Sequence, residues 1–222
     1  MSGAQPYRNY WKRKRLLAQG PPRFPLRRWW ETENLCDIEQ GCFDAIRDAP
    51  SLLDVGAGDL RIKRKLQAAG YAGEYHTQDV GPEHHHTYGT LAEVDRRYDA
   101  ILCLDVLEHC PLDEGLGMLD RLVELLSPGG TLVIQTPNAR CIRSPLAWDM
   151  THLHLYNLDD LWAYLSAAGL EVRGFRVVFG GPPRSPLAWA RYAAAAFVTT
   201  RLLGADFADN VVLIARRPPA AG

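Results

Sequence analysis

Leu52-Leu53-Asp54-Val55-Gly56-Ala57-Gly58 joins a short apolar run to a Gly-x-Gly turn, and Arg61 to Ala69 follows with Ile62, Leu66 and Ala69 on one helical face. A strand that ends in such a turn lets backbone approach a ligand closely, because glycine has no Cβ, and the next helix points its amide groups at an anion. The same pattern also serves as a plain strand-to-helix turn. Asp79 lies 21 residues beyond Gly58, at the end of the alternating run Glu74 to Gln78, and suits a carboxylate that hydrogen-bonds a ribose diol. Two details argue against a dinucleotide. Arg61 stands where Gly-x-Gly-x-x-Gly needs its third glycine, and Asp54 is a poor neighbour for a pyrophosphate. Asp54 would instead orient a positively charged amino group.

Outward from this loop, Tyr98 to Leu104, Gly130 to Gln135 and Asn210 to Ala215 are further apolar runs bounded by turn residues, as expected of buried strands. Gly115 to Leu126 repeats Leu116, Leu119, Leu122 and Leu125, and Leu158 to Ala168 repeats Leu161, Leu165 and Ala168, as helices do. Strand and helix alternate. That order predicts an α/β fold, a doubly wound and mostly parallel sheet whose ligands bind beyond the carboxyl ends of its strands.

The chain has 222 residues, 47% hydrophobic and 23% charged, which excludes a disordered or collagen-like chain. Charge is uneven. Residues 1–30 carry eight basic side chains (Arg8, Lys12, Arg13, Lys14, Arg15, Arg23, Arg27, Arg28) and no acidic one, leaving 17 basic against 26 acidic, or −9, elsewhere. Five cysteines, none in a C-x-x-C pair, suit neither a disulfide framework nor a zinc knuckle and point to reduced thiols in a cytoplasm. No apolar run has the length of a signal peptide core or a membrane span.

Several blocks together resemble the class I S-adenosylmethionine-dependent methyltransferases, especially the ubiquinone-type O-methyltransferases. They are Leu53 to Gly58, Asp79, Arg97 to His109 (ending Leu104-Asp105-Val106-Leu107-Glu108-His109), Leu126 to Asn138, and Thr151 to Leu161 with Ala168-Gly169-Leu170. The blocks cover about residues 50–217 in family order. The resemblance implies a Rossmann-like, seven-stranded sheet with one reversed strand near the C-terminus, and S-adenosyl-L-methionine as cofactor. Gly56, Ala57 and Gly58, with Asp54 before them, would line its methionyl part. Asp79 would hold the ribose, and Leu104 and Asp105 would border the sulfonium. Leu60 replaces the family's usual third loop glycine. Only 18 residues separate Asp79 from Tyr98, so a shortened third strand is expected near Leu91 to Val94, and no adenine contact is assigned.

Methyl transfer from a sulfonium needs in-line alignment and exclusion of water, and a hydroxyl acceptor also needs a base. His109 follows the fourth strand and His152 and His154 the fifth, so all three could converge on the crevice; His109 and His154 are the candidate bases, with Glu108 to orient or balance them. Asp105-x-x-Glu108-His109 with His154 is also a ligand set for a divalent cation, and small-RNA 2′-O-methyltransferases look similar at this point. Many metal-free methyltransferases carry a Glu-His pair here too, and the reading adopted has no metal. His84-His85-His86 is read as an exposed loop.

Residues 1–34 are read as a basic, aromatic cap in helical or irregular form, and 35–217 as the cofactor-binding domain. Residues 181–205 form a helical insertion whose core is the alanine-rich Leu187 to Leu203. The acceptor expected is a small or lipid-linked metabolite, on a monomer or homodimer with no transmembrane segment and an open option of peripheral membrane contact. The basic cap also allows RNA as substrate, although the Asn-Pro-Pro-Tyr motif of amino-nucleobase methylases is absent after Leu104. A non-catalytic cofactor-binding module is the remaining alternative.

Overall fold

Runs such as Leu52–Val55 and Ile101–Cys103 have few polar side chains to turn to water, so both faces of their sheet must be covered. The computed structural model describes residues 9–220 and has that form. Its strands are β1 (Leu26–Trp29), β2 (Ser51–Val55), β3 (Glu74–Gln78), β4 (Tyr98–Leu104), β5 (Leu126–Pro137), β6 (Glu171–Phe179) and β7 (Asn210–Arg216). The helices are α1 (Tyr10–Gln19), α2 (Asp37–Ile46), α3 (Arg61–Ala68), α4 (Leu112–Leu125), α5 (Leu158–Ala167) and α6 (Pro186–Phe197). One seven-stranded sheet runs in the order β1-β6-β7-β5-β4-β2-β3. β7 is antiparallel to both neighbours and every other pairing is parallel, giving the single reversed strand expected.

Successive strand residues point to opposite faces, and the core divides accordingly. Leu53, Val55, Ile101 and Cys103 meet the leucine rows of α4 and α5. Leu52, Ala100 and Leu102 meet Ile38, Phe43 and Ile46 of α2 and Leu66 of α3. All five cysteines are free thiols.

The third strand expected near Leu91 to Val94 does not form. Leu91–Glu93 makes one 3₁₀ turn, because the short connection from β3 to β4 has no length for both a helix and a strand. β3 is therefore an edge strand. Tyr88 bridges to Gln78, and Thr77 and Thr87 exchange bonds from each N–H to the other's hydroxyl oxygen, at 3.1 and 3.2 Å. The seventh strand comes instead from Leu26–Trp29, inside the segment expected as a helical or irregular cap, and extends the opposite edge beside β6. Gly174 of β6 admits it: a Cβ there would lie 2.6 Å from the Phe24 ring.

Parts of the described basic segment touch the domain, although α1 has no buried residue. Lys12 Nζ donates to the Ala167 carbonyl at 2.6 Å, Arg13 lies over the Tyr164 ring, and Arg27 pairs with Asp37. Tyr7 and Arg8 lie outside the described residues. The alanine-rich segment is helical as expected from Pro186, then widens into a π turn over Val198–Leu202. There the Thr199 hydroxyl donates back to the Ala195 carbonyl at 2.9 Å, which opens the ladder.

A buried ion pair joins α2 to α3. Lys65 Nζ lies 2.9 and 3.0 Å from the two Glu39 oxygens, with side chains 5% and 10% exposed, and Glu39 also accepts the Cys36 N–H that starts α2. Removing one partner strands a buried charge. Lys65→Met should cost about 3–5 kcal/mol in urea unfolding, and adding Glu39→Gln, which keeps the helix cap, should recover most of it.

Candidate functional site

All strands except β7 run one way, so the turns after β2, β3, β4, β5 and β6 emerge at one edge of the sheet. After β2 the chain turns through Gly56 at φ 70° and Gly58 at φ 47°, a region side chains rarely adopt. A Cβ on Gly56 would run into Cγ2 of Val106 from the turn after β4, whereas Gly58 faces open space. Leu60, in place of a glycine, also takes the left-handed conformation at φ 64° as it starts α3.

Backbone bonds lock these turns together. The Gln78 carbonyl accepts the N–H groups of Gly56 and Ala57, and Gln135 accepts that of Asp105. Asp79 accepts from the N–H of Gly58 at 2.8 Å and of Gly81 at 2.7 Å, at the rim of the loop where a ribose contact was expected. Val80 beside it is 83% exposed. A cleft lined by Asp54, Gly56, Ala57, Gly58, Leu104 and Asp105 opens here, with Trp29 and Gln135 on its walls. Six of the seven expected cofactor residues thus line one cleft, and Asp79, which does not line it, is bonded to Gly58, which does. Trp29 and Gln135 carry no sequence signal for this position.

Asp54 is buried and accepts from the Tyr75 hydroxyl at 2.7 Å. Burial nevertheless pushes its carboxyl from an ordinary 3.8 up to about 7. Asp105, at φ 55°, accepts from Gln135 Nε2 at 2.7 Å and Asn210 Nδ2 at 3.1 Å.

Beyond Asp105, the 3₁₀ turn Leu107–His109 buries Glu108 to 1% exposure. Its Oε2 accepts from the Thr136 hydroxyl at 2.9 Å, while the buried Oε1 has no partner among the described residues. Burial first, then the nearby Asp105 charge, push this carboxyl from 4.5 up to about 8.

The Glu108 carbonyl accepts the N–H groups of both Leu153 and His154, at 2.7 and 3.2 Å. Two successive N–H groups cannot converge on one acceptor in an extended strand, so the chain turns here. His152 comes to the side of His109, with ring centroids 5.1 Å apart. His154 instead stacks edge-on against Tyr156, 4.9 Å away, and lines a separate recess between α1, α4 and α5. Burial holds its imidazole below the ordinary range.

Both clustered histidines have defined tautomers. His152 Nδ1 lies 2.8 Å from the Pro145 carbonyl, which can only accept, so Nε2 keeps its lone pair. Thr151 Oγ1 donates to Asp149 at 2.7 Å and accepts from His109 Nδ1 at 2.9 Å, which again leaves Nε2 as the base. Glu108, His109 and His152 each offer a ligand atom within 4.8 Å of one another. The group that forms is thus Glu108, His109 and His152, and it includes neither Asp105 nor His154 of the expected ligand set. His84 and His85 are exposed in their loop, as expected, whereas His86 is half-buried.

Residues 26–173 match the family described as "Methyltransferase domain". No curated protein matches the chain at a significant level. Among solved structures, the chain is similar to a SAM-dependent methyltransferase from Archaeoglobus fulgidus, at 14% identity over 80% of this chain and 90% of that one, TM-score 0.62. It is also similar to the magnesium protoporphyrin IX methyltransferase of Synechocystis PCC 6803 with bound SAM, at 15% identity over 98% and 85%, TM-score 0.52. An O-methyltransferase family protein from Burkholderia thailandensis aligns at 15% identity over 83% and 57%, TM-score 0.53. At these identities the likeness establishes the fold.

Glu108 and Asp54 hold protons in the folded chain that the unfolded chain has released, so stability should fall as pH rises from about 4.5 to about 8. Glu108→Gln should flatten that fall in a plot of Tm against pH, whereas an unchanged slope would mean that Glu108 titrates normally.

Proposed function

The chain belongs to the methyltransferase-domain family, and from that premise we propose that it is a class I enzyme carrying a methyl group from S-adenosyl-L-methionine to an oxygen of a small or lipid-linked acceptor. The donor fits the residues at the sheet edge. Gly58 leaves backbone bare where a ligand must come close, Gly56 lets the loop close onto Val106, and Asp79 has lone pairs left for a ribose diol. Exposed Val80 offers an apolar surface to a flat base. Asp54 suits an ammonium group, because a cation beside a buried carboxyl restores its ionised form.

The observation that carries oxygen as the acceptor atom is the cluster of Glu108, His109 and His152 next to Asp105. His109, with Nε2 free and Nδ1 held by Thr151 and Asp149, is placed to take the acceptor's proton. Glu108 supplies a buried carboxyl that can balance the imidazolium so formed. Alignment in the cleft supplies the rest of the acceleration, because the displacement itself needs only a collinear approach. The resemblance of Arg97 to His109 to the ubiquinone-type O-methyltransferases supports the choice of oxygen.

A second reading rests on the spacing within 4.8 Å of Glu108, His109 and His152 and on the partnerless Oε1. A divalent cation held there would acidify the acceptor hydroxyl. Chelator separates the two readings, since base catalysis by His109 survives it.

Asp79→Ala should weaken donor binding about 10- to 100-fold by calorimetry, as expected for lost hydrogen bonds to a charged group. His109→Ala should lower turnover about 10²- to 10⁴-fold with donor affinity kept. His154→Ala, in the separate recess, should leave turnover within about twofold of wild type on the scale of surface changes. Turnover is best read as labelled methyl incorporated into a metabolite and lipid extract, with total RNA as a parallel acceptor. Label entering RNA alone would overturn the small-molecule reading.

A further inference from the structure

α6 is apolar and has no buried residue. One side of it is partly covered, at Ala188, Tyr192, Ala196 and Thr199, where Tyr192 packs edge-on against Phe207 and beneath Arg28. The other side, Leu187, Ala190, Ala194, Phe197 and Val198, recurs every three to four residues and faces outward, with Leu187 61% and Phe197 58% exposed. Leu202 and Leu203 continue the exposed apolar surface past the π turn.

Strand polarity fixes where this surface lies. α6 follows the carboxyl end of β6, so it projects from the same edge of the sheet as the glycine loop. The segment after β5 leaves that edge too, and it exposes Leu146 and Met150. From Gly180 to Ala205 there is no carboxylate, while Arg184, Arg191 and Arg201 are all exposed. No helix among the described residues is long and apolar enough to cross a membrane.

We infer that α6 and the adjoining apolar loop dock the protein on an anionic lipid bilayer, with the helix lying in the plane of the interface. Apolar side chains enter the acyl boundary while the arginines meet lipid phosphates, the pairing that such helices require. Charge decides against a second copy of the chain as the occupant. A two-fold contact through α6 would set Arg184, Arg191 and Arg201 against their copies, and the one carboxylate of the adjoining loop, exposed Asp149, is already engaged by Thr151. The docked face carries the mouth of the cleft to the membrane surface, where a lipid-linked acceptor resides.

The test is flotation of the full chain with phosphatidylcholine vesicles, with or without phosphatidylglycerol, in low and raised salt. No donor or acceptor is present, so the result does not depend on the proposed reaction. The chain should float with the anionic vesicles only and be released by salt. Arg191→Ala with Arg201→Ala should lower the partition coefficient about 25-fold, taking about fivefold for each arginine. Leu187→Glu with Phe197→Glu should abolish flotation. Both pairs are exposed, and a thermal melt at the wild-type temperature certifies the fold; if the glutamate pair unfolds, the alanine pair still decides. The inference is overturned if no vesicle carries the chain or if flotation ignores headgroup charge. It is also overturned if the chain forms a dimer that Phe197→Glu dissolves while vesicles are ignored.

Discussion

The turn after β2 passes so close to the turn after β4 that no side chain fits between Gly56 and Val106. The rest of the candidate site inherits its geometry from that contact. With the two turns in touch, the carbonyls of Gln78 and Gln135 can reach across to the neighbouring turns, and Asp79 can reach Gly58. The ends of four adjacent strands are thereby tied by main-chain bonds, which do not depend on flexible side chains for their positions. A ligand placed on this edge meets a preformed surface, and little ordering entropy is left to spend on binding.

The same edge concentrates two buried carboxyls, Asp54 and Glu108, in surroundings that favour their neutral forms. Such groups are poor contributors to stability and good receivers of positive charge. In the proposed reaction the donor would bring an ammonium group near Asp54 and the transfer would make an imidazolium near Glu108, and either cation would relieve the cost of burying these carboxyls.

Much of this was legible in the sequence because the decisive elements are strongly periodic or chemically restricted. The glycine turn, the apolar runs of β2, β4, β5 and β7 and the leucine rows of α4 and α5 stand out from their surroundings. Other elements carry weak signals. β6, Glu171-Val172-Arg173-Gly174-Phe175-Arg176, mixes charges into a strand because it lies near the sheet's edge, and β1 is four residues with two arginines. Propensity gave no reason to pair Leu26 with Arg176, since the pairing rests on main-chain bonds between distant segments and on the close packing of Phe24 against Gly174. In the site, His152 and His154 follow β5 alike in the sequence, and only the turn that two N–H groups make on the Glu108 carbonyl separates them. That turn selects His152.

The transfer of the seventh strand from one edge of the sheet to the other alters the history of the molecule as well as its shape. Leu26 and its partner Arg176 are 150 positions apart. At ordinary rates of translation the first waits roughly 8 to 30 s on the ribosome for the second. During that interval β1 has no strand to pair with, although Arg27 can already meet Asp37. The wall that Trp29 gives the cleft is therefore fixed only when an early-made strand is captured by one of the latest.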